Sequence, residues 1–500
     1  MVKMAVTLSL AVCEDRVQLT LNVQEALIPL WSGFSYFAHQ ETGIRWMLEK
    51  ERVGTLVPSD VVVKGGFQCD DMGLGKTIQI ASAMVNHPQK ATLLIAPLAM
   101  IETWVSVCLR AGMAVYQVEK SGWVRAVGDV VTASVPLHFR RLRPAVYVSN
   151  YEKMFRNQSL FDRSWDRVVL DEAHKIRNAD GLVAKAARGL KAPIRWAVTG
   201  TPLVNSLKDV VSLMAFVGVP CKSPWRWDRK YLQVLPHLLI HRSLNSLRGV
   251  IQGAPPVPEI VEQVMPFGTE EEEDFYHGVQ GATESMVTRY ARELLSPRES
   301  FKLLLRLRQI SVHPQVYINA KRREDASYDR ADWEGSSTKM EAIRQILDEE
   351  GTHKTILFCQ FNDEMALIRD FLLAEGLVKD ENILLYHGGL NQAERTAVLR
   401  QSKETTERTV LLLQLQAGGV GLNLQEYDRI VFMSPWWTAA LMDQAIARAV
   451  RMGQTQVVKV FHLRLAAEHS AAINIDKLVN AKAEEKRKML KQLFQLCGGF

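Results

Sequence analysis

The residues best suited to chemistry lie in a glycine-containing loop, Gly66–Thr77, which follows an apolar, β-branched run and precedes a helical pattern. Strand, glycine turn and helix are the order that a phosphate-binding loop requires. Gly73 and Gly75 let the backbone bend so that its N–H groups converge on a phosphate, and the helix N-terminus adds partial positive charge there. Lys76 would reach the β- and γ-phosphates, and the Thr77 hydroxyl would hold Mg²⁺.

One position departs from the strict form of such a loop. The pattern has glycine six residues before the lysine, whereas this chain has Asp70. A tight turn that caps a helix therefore stays open as an alternative interpretation of this stretch alone.

A second stretch, Val168–His174, is an apolar run that ends in two adjacent carboxylates. A carboxylate at the C-terminal end of a parallel strand suits a metal–phosphate site. In that arrangement Asp171 would hold Mg²⁺ and Glu172 would polarise the attacking water. The alternative is a charged turn after a buried strand, but the two patterns in this order favour nucleotide hydrolysis.

The motifs Asp71–Thr77 and Asp171–His174 together resemble those of the SNF2 family of superfamily 2 ATPases. The resemblance implies ATP and Mg²⁺ as cofactors, with Thr77 and Asp171 as the metal-binding residues. Gln40 lies upstream at the family's adenine-reading position, where an amide offers both a donor and an acceptor. The nucleotide-binding residues that the resemblance implies are Gln40, Asp71, Met72, Gly73, Leu74, Gly75, Lys76, Thr77 and Gly421.

The strongest signal in the second half of the chain is Asp443–Gln454. We predict that Arg448 and Arg451 lie on one face of a helix, and the resemblance implies that their guanidinium groups act on the γ-phosphate in the transition state. Two arginines on an exposed helix surface are the alternative. The catalytic set is therefore Lys76, Asp171, Glu172, Arg448 and Arg451.

Alternation of strand, loop and helix from about residue 60 to 205 predicts a parallel α/β sheet, and a second α/β region opens at Thr352. The resemblance implies an α/β fold of two RecA-like parallel-sheet lobes with SNF2-type helical insertions and a C-terminal brace helix. We predict an N-terminal segment at 1–25, lobe 1 with a helical protrusion at 26–262, lobe 2 with a helical insertion at 263–475, and the brace at 476–500. Paired tryptophans, Trp436 and Trp437, resemble the Rad5/Rad16-like branch of the family.

Composition limits the remaining classes. The 500 residues are 47% hydrophobic and carry a net charge of +6, which permits a polyanionic partner without requiring one. The six cysteines are far apart and form no Cys-x-x-Cys pair, so no zinc is expected. With no signal pattern and no membrane-length apolar run, we expect a soluble intracellular protein, nuclear in a eukaryote or in a virus that replicates in the nucleus, and otherwise cytoplasmic.

The function that the resemblance implies is a DNA-dependent ATPase that translocates on double-stranded DNA and remodels protein–DNA complexes such as nucleosomes, in chromatin or DNA repair. Two alternatives stay open at this point. One is a strand-separating superfamily 2 helicase acting on DNA or RNA, and the other is an ATP-binding scaffold without useful turnover.

Overall fold

The computed structural model describes residues 6–13, 16–23, 26–58, 60–119, 122–126, 144–220, 229–251, 253–290, 297–418, 422–466 and 474–498. The first strands, β1 (Val6–Cys13) and β2 (Arg16–Val23), form an antiparallel hairpin within the predicted N-terminal segment. The chain divides into two compact units, residues 1–251 together with 489–500, and residues 252–488. Within the described part of the chain, no helix has both the length and the apolar character needed to cross a bilayer.

The first unit contains a nine-stranded sheet, ordered β11-β4-β10-β9-β5-β8-β6-β7 with β3 beside β4. β3 pairs antiparallel with β4, and β7 pairs antiparallel with β6. The other neighbouring strands of this sheet pair parallel. The strands are β3 (Thr55–Val57), β4 (Val61–Gln68), β5 (Ala91–Ala96), β6 (Ala114–Glu119), β7 (Gly122–Arg125), β8 (Ala145–Asn150), β9 (Arg167–Asp171), β10 (Ile194–Val198) and β11 (Leu239–Ile240).

Helices follow most of these strands, as expected for parallel strands that need crossover connections. They are Ala38–Arg52, Lys76–Asn86, Ile101–Arg110, Tyr151–Arg156, Gln158–Phe161, Leu182–Gly189, Leu207–Val217, Arg229–Leu238 and Leu244–Leu247. The central strands β5 and β9 are buried along their whole length, because the sheet is covered on both faces.

Strand register brings the predicted chemical residues to one edge of this sheet. Val198 at the end of β10 pairs with Gln68 at the end of β4 and with Asp171 at the end of β9. The loop after β4 and the carboxylates at the end of β9 therefore leave the sheet at the same level. This carboxyl edge is where open α/β sheets bind ligands.

The second unit has its own six-stranded parallel sheet, ordered β12-β17-β16-β13-β15-β14. Its strands are β12 (Glu259–Met265), β13 (Lys354–Cys359), β14 (Ile383–Tyr386), β15 (Thr409–Gln414), β16 (Arg429–Phe432) and β17 (Lys459–Leu465). Its helices are Glu270–Tyr290, Pro297–Val312, Pro314–Glu324, Thr338–Asp348, Asn362–Ala374, Gln392–Glu404, Leu415–Gly418 and Ala439–Ile446.

The division between the two units differs from the sequence prediction. The predicted division after residue 262 falls inside β12, whose whole length pairs with β17 in the second unit. The division lies earlier because the proline-rich segment 254–258, and not the strand, is the connection. The last helix is Ile475–Leu496, whose residues Leu493 and Phe494 pack into the core of the first unit.

Candidate active site

The loop after β4 has the backbone that a phosphate-binding loop needs. Gly73 and Gly75 both have positive φ angles, 87° and 78°, which L-residues with a side chain rarely adopt. A Cβ at Gly73 would meet nothing within 4 Å, so the loop is open there, whereas a Cβ at Gly75 would come within 2.5 Å of Gln40 Nε2. The N-cap residue of the following helix, which begins at Lys76, is Gly75, and it has no side chain that could cap the helix. The first N–H groups of the helix therefore receive no cap from that residue, as suits anion binding.

The side chain of Lys76 returns over the loop that carries it. Its Nζ donates to the carbonyl oxygens of Asp70 at 2.7 Å and Asp71 at 3.2 Å. A Cβ on Gly200, in the Thr-Gly-Thr turn after β10, would lie 3.6 Å from the same Nζ. The ammonium is thus held at the carboxyl edge by main-chain oxygens. Among the described residues no carboxylate is hydrogen-bonded to this ammonium, which suits a group that would bind a phosphate.

Gln40 lies against the loop, as the sequence suggested, but its amide is engaged. Its Oε1 accepts from the N–H of Phe37 at 3.2 Å, and its Nε2 donates to the carbonyl of Leu74 at 3.4 Å. His39 Nε2 lies 3.1 Å from the same carbonyl. In this structure Gln40 therefore helps to fix the tip of the loop, and the adenine-binding role stays a prediction.

Asp171 ends β9 as a buried carboxylate, with 7% of its surface exposed. Its Oδ2 accepts from the indole N–H of Trp104 at 2.8 Å, and its Oδ1 accepts from the N–H of Glu172 at 3.0 Å. The Tyr151 hydroxyl donates to its main-chain oxygen at 2.6 Å. Burial and the neighbouring Glu172 charge raise the pKa of Asp171 to about 6, while Trp104 and Lys76 act in the opposite direction.

Glu172 has a backbone conformation that is rare for a residue with a side chain, with φ 51° and ψ 49°. Such outliers persist where surrounding structure fixes them, often at functional sites. Its Oε2 lies 3.3 Å from His174 Nδ1, and that nitrogen lies 3.2 Å from the Thr199 hydroxyl. Thr199 also accepts from the N–H of Thr201 at 3.1 Å. The carboxylate pair is thereby connected to the turn after β10.

Asp70 and Asp71 have structural partners that the sequence did not reveal. Asp70 is fully buried and receives two hydrogen bonds from the guanidinium of Arg242. Burial alone would raise the pKa of Asp70, but the bonds and charge of Arg242 hold it below its usual range. Asp71 lies 3.4 Å from His241 Nε2 and accepts from the N–H of Leu244 at 2.9 Å. The side chain of Asp71 contacts the segment after β11, and its nucleotide-binding role stays a prediction.

In the second unit the predicted placement of the two arginines is wrong. The helix ends at Ile446, and Arg448 and Arg451 lie in the turns that follow it. The turns replace helix because the carbonyl of Arg448 accepts from the N–H of Leu424 at 3.1 Å, which ties this segment to a neighbouring loop. Arg448 is buried, whereas Arg451 is half-buried and its Nη1 donates to the carbonyl of Leu422 at 3.3 Å. Burial lowers the pKa of Arg451.

The same loop and turns are joined a second time. Gln454 Nε2 donates to the carbonyls of Gln425 at 2.8 Å and Tyr427 at 3.1 Å. The glycine-rich loop just before Leu422 was predicted to meet nucleotide through Gly421, which lies outside the described residues. The described part of this region is therefore a set of turns joined by hydrogen bonds, in which Arg451 is half-buried.

The donor set of the first unit fits a hard divalent cation. Asp171 offers carboxylate oxygens, Thr77 offers a half-buried hydroxyl, and no sulfur or imidazole ligand is needed. Mg²⁺ held by these oxygen ligands beside the phosphate loop would supply positive charge that stabilises the phosphate groups. The chemistry of these residues therefore agrees with the predicted metal ligands, Thr77 and Asp171.

Comparison with known proteins decides the family. The model of the SNF2-related domain matches residues 39–316, and that of the helicase conserved C-terminal domain matches residues 338–453. The chain belongs to the SNF2 family. The match to both family models makes it a helicase-like ATPase, and the parallel sheets of the two units confirm the predicted α/β fold.

Individual curated proteins and a solved structure are also similar to this chain. The chain is 28% identical over 474 residues to a probable global transactivator of Orgyia pseudotsugata multicapsid polyhedrosis virus, covering 91% of each chain. It is 24% identical to an ATP-dependent helicase of Schizosaccharomyces pombe, covering 89% of this chain and 67% of the relative. The SWI2/SNF2 ATPase core of Sulfolobus solfataricus, solved with double-stranded DNA, is 20% identical with a TM-score of 0.39, covering 94% of this chain and 99% of that one.

Proposed function

We propose that this SNF2-family chain hydrolyses ATP with Mg²⁺ to translocate on double-stranded DNA and thereby remodels protein–DNA complexes such as nucleosomes. Lys76 and Thr77 would hold the phosphates and the metal, Asp171 would bind the metal, and Glu172 would polarise the attacking water. Arg448 and Arg451 of the second unit would stabilise the transferring phosphoryl group. Adenine recognition by Gln40 and a contact from Gly421 complete the proposed nucleotide site.

The observation that carries this proposal is the shared edge of the first sheet. An open glycine loop follows β4, and a buried carboxylate ends β9. Strand β10 lies between these two parallel strands and pairs with the ends of both at the same level. Lys76 also lies close enough to Asp171 for its charge to lower that carboxyl's pKa. A glycine loop suited to phosphate, a carboxylate suited to a metal ion and a second carboxylate lie at one edge of the sheet. This combination supports transfer of a phosphoryl group to water more directly than it supports nucleotide binding without hydrolysis.

A triplex-displacement assay tests translocation on duplex DNA. A labelled third strand is bound to a long duplex, and its release is followed after addition of protein and ATP. We expect release by the wild-type chain and none by Lys76→Ala, which loses the phosphate-binding ammonium. A parallel assay with a forked duplex scores strand separation. Separation of the fork without displacement of the third strand would contradict translocation and favour a strand-separating helicase.

A further inference from the structure

Arg242 lies two residues after the end of β11 and contacts three separate parts of the first unit. Its Nε and Nη2 donate to the two oxygens of Asp70, the Nε bond at 2.9 Å. Nη2 also donates to Gln79 Oε1 at 2.8 Å, and Nη1 donates to the main-chain oxygen of His39. The guanidinium therefore joins the start of the phosphate loop, the helix after it and the helix Ala38–Arg52.

The surroundings of Arg242 leave little room for another side chain. A Cβ on Gly43 would come within 2.5 Å of Arg242 Nη2, so a larger residue at this position would displace the guanidinium. Asp70 is fully buried and also accepts from Gln68 Nε2 and Gln79 Nε2, each at 3.0 Å. A buried carboxylate needs such a complete set of donors because an unpaired charge there is strongly unfavourable.

The network reaches the phosphate-binding atoms through short steps. The amide of Gln79 connects Arg242 to the loop. Its Oε1 accepts from Arg242 Nη2, and its Nε2 donates to the carbonyl of Leu74 at 3.3 Å. The main-chain oxygen of Asp70 accepts from Lys76 Nζ at 2.7 Å, while the Asp70 side chain is held by Arg242. Arg242 thus holds the loop at Asp70 directly and at Leu74 through Gln79. It is not one of the groups proposed to contact the nucleotide.

We propose that Arg242 is a positioning residue for ATP binding, which sets the phosphate loop in its binding conformation through Asp70 and Gln79. This inference rests on the proposed function, because it concerns the same nucleotide site. A planar fork can satisfy all three partners at once, and a lysine cannot. Small displacements of a phosphate-binding loop reduce affinity and turnover by large factors, so Arg242→Lys should weaken ATP binding about 10- to 100-fold.

Arg167→Lys is the matched control within the same unit. Arg167 also donates through two nitrogens to a buried carboxylate, Glu51, and to a main-chain oxygen, that of His87. It begins β9, whereas Asp171 ends that strand, so it lies at the opposite edge of the sheet. We expect both lysine variants to lower the melting temperature, but only Arg242→Lys to raise the ATP dissociation constant and KM sharply.

A double variant, Asp70→Asn with Arg242→Gln, separates positioning from stability. It leaves no unpaired buried charge, so it should melt above Arg242→Lys. It also lacks the fork, so it should bind ATP as weakly as Arg242→Lys in fluorescence titration. This variant carries the test if Arg242→Lys fails to fold.

The outcomes separate the two proposals. If affinity for ATP recovers together with the melting temperature in the double variant, or falls equally in Arg167→Lys, then Arg242 is a stability residue and the positioning role is wrong. If the wild type binds ATP and Arg242→Lys binds it equally well, the positioning role is also wrong. A wild-type chain that does not bind ATP would overturn the proposed function itself.

Discussion

Trp104→Phe removes the indole N–H that donates to Asp171 Oδ2 at 2.8 Å, while an aromatic ring still fills most of the site. A hydrogen bond to a charged group contributes about 1.5–3 kcal/mol, and one pKa unit corresponds to about 1.4 kcal/mol. If the lost bond acts mainly on the ionised form, the pKa of Asp171 should rise by about one to two units above its present value.

The sign of the pH dependence follows from this shift. In the proposed site the carboxylate would bind Mg²⁺ only when ionised, and its pKa is already raised to about 6 by burial and by Glu172. At pH 7 the wild-type carboxyl would be about 90% ionised, and the Trp104→Phe carboxyl only about 10–50%. Apparent Mg²⁺ affinity at pH 7 should therefore fall roughly 2- to 10-fold and recover as the pH approaches about 9.

The assay is ATP hydrolysis titrated with Mg²⁺ at several pH values. Trp196→Phe is the matched control, because Trp196 is equally buried and its N–H donates to a different carboxylate, Glu51, at 2.8 Å. Both variants should lose stability through the smaller ring, but only Trp104→Phe should shift the pH midpoint of Mg²⁺ dependence. A Trp104→Phe defect that is equal at pH 7 and pH 9 would refute the reasoning.

Three further predictions concern the other site residues. Glu172→Gln should still bind ATP but hydrolyse it about 10²-fold more slowly, and loss of binding would assign Glu172 a structural role. Asp171→Asn should raise the melting temperature of the nucleotide-free protein at pH 7, since a carboxyl with a raised pKa destabilises the fold when ionised; an unchanged or lower melting temperature would contradict this. Arg451→Ala should keep ATP affinity within several-fold of the wild-type value but lose about 10³-fold of DNA-stimulated hydrolysis. Arg448→Ala should have the same effects and should also lower the melting temperature, because Arg448 is buried. Normal DNA-stimulated hydrolysis in Arg451→Ala would contradict the role of Arg451.

Local sequence patterns were sufficient to predict much of the fold and the centre of the site. The glycine loop and the Asp171–Glu172 pair follow apolar strands, and parallel pairing then places both at one edge. These features depend on short motifs and on the spacing of apolar residues, both of which can be read from a single sequence.

The parts that were missed depend on contacts between distant residues. Trp104 and Asp171 are 67 positions apart, and Arg242 and Asp70 are 172 apart, so no spacing rule connects either pair. Spacing also suggested that Arg451 continues a helix, but a hydrogen bond from Leu424 to the turn at Arg448 competes with it. Tertiary contacts override local helix preference in such cases.

Hydrolysis of ATP without nucleic acid, with duplex DNA, with single-stranded DNA and with RNA tests the central claim most directly. A site that couples phosphoryl transfer to translocation on a duplex should hydrolyse ATP slowly alone and fastest with duplex DNA, and Lys76→Ala should show no hydrolysis under any condition. A rate that duplex DNA does not raise, or that single-stranded DNA or RNA raises as much as duplex DNA, would contradict the proposed DNA translocase.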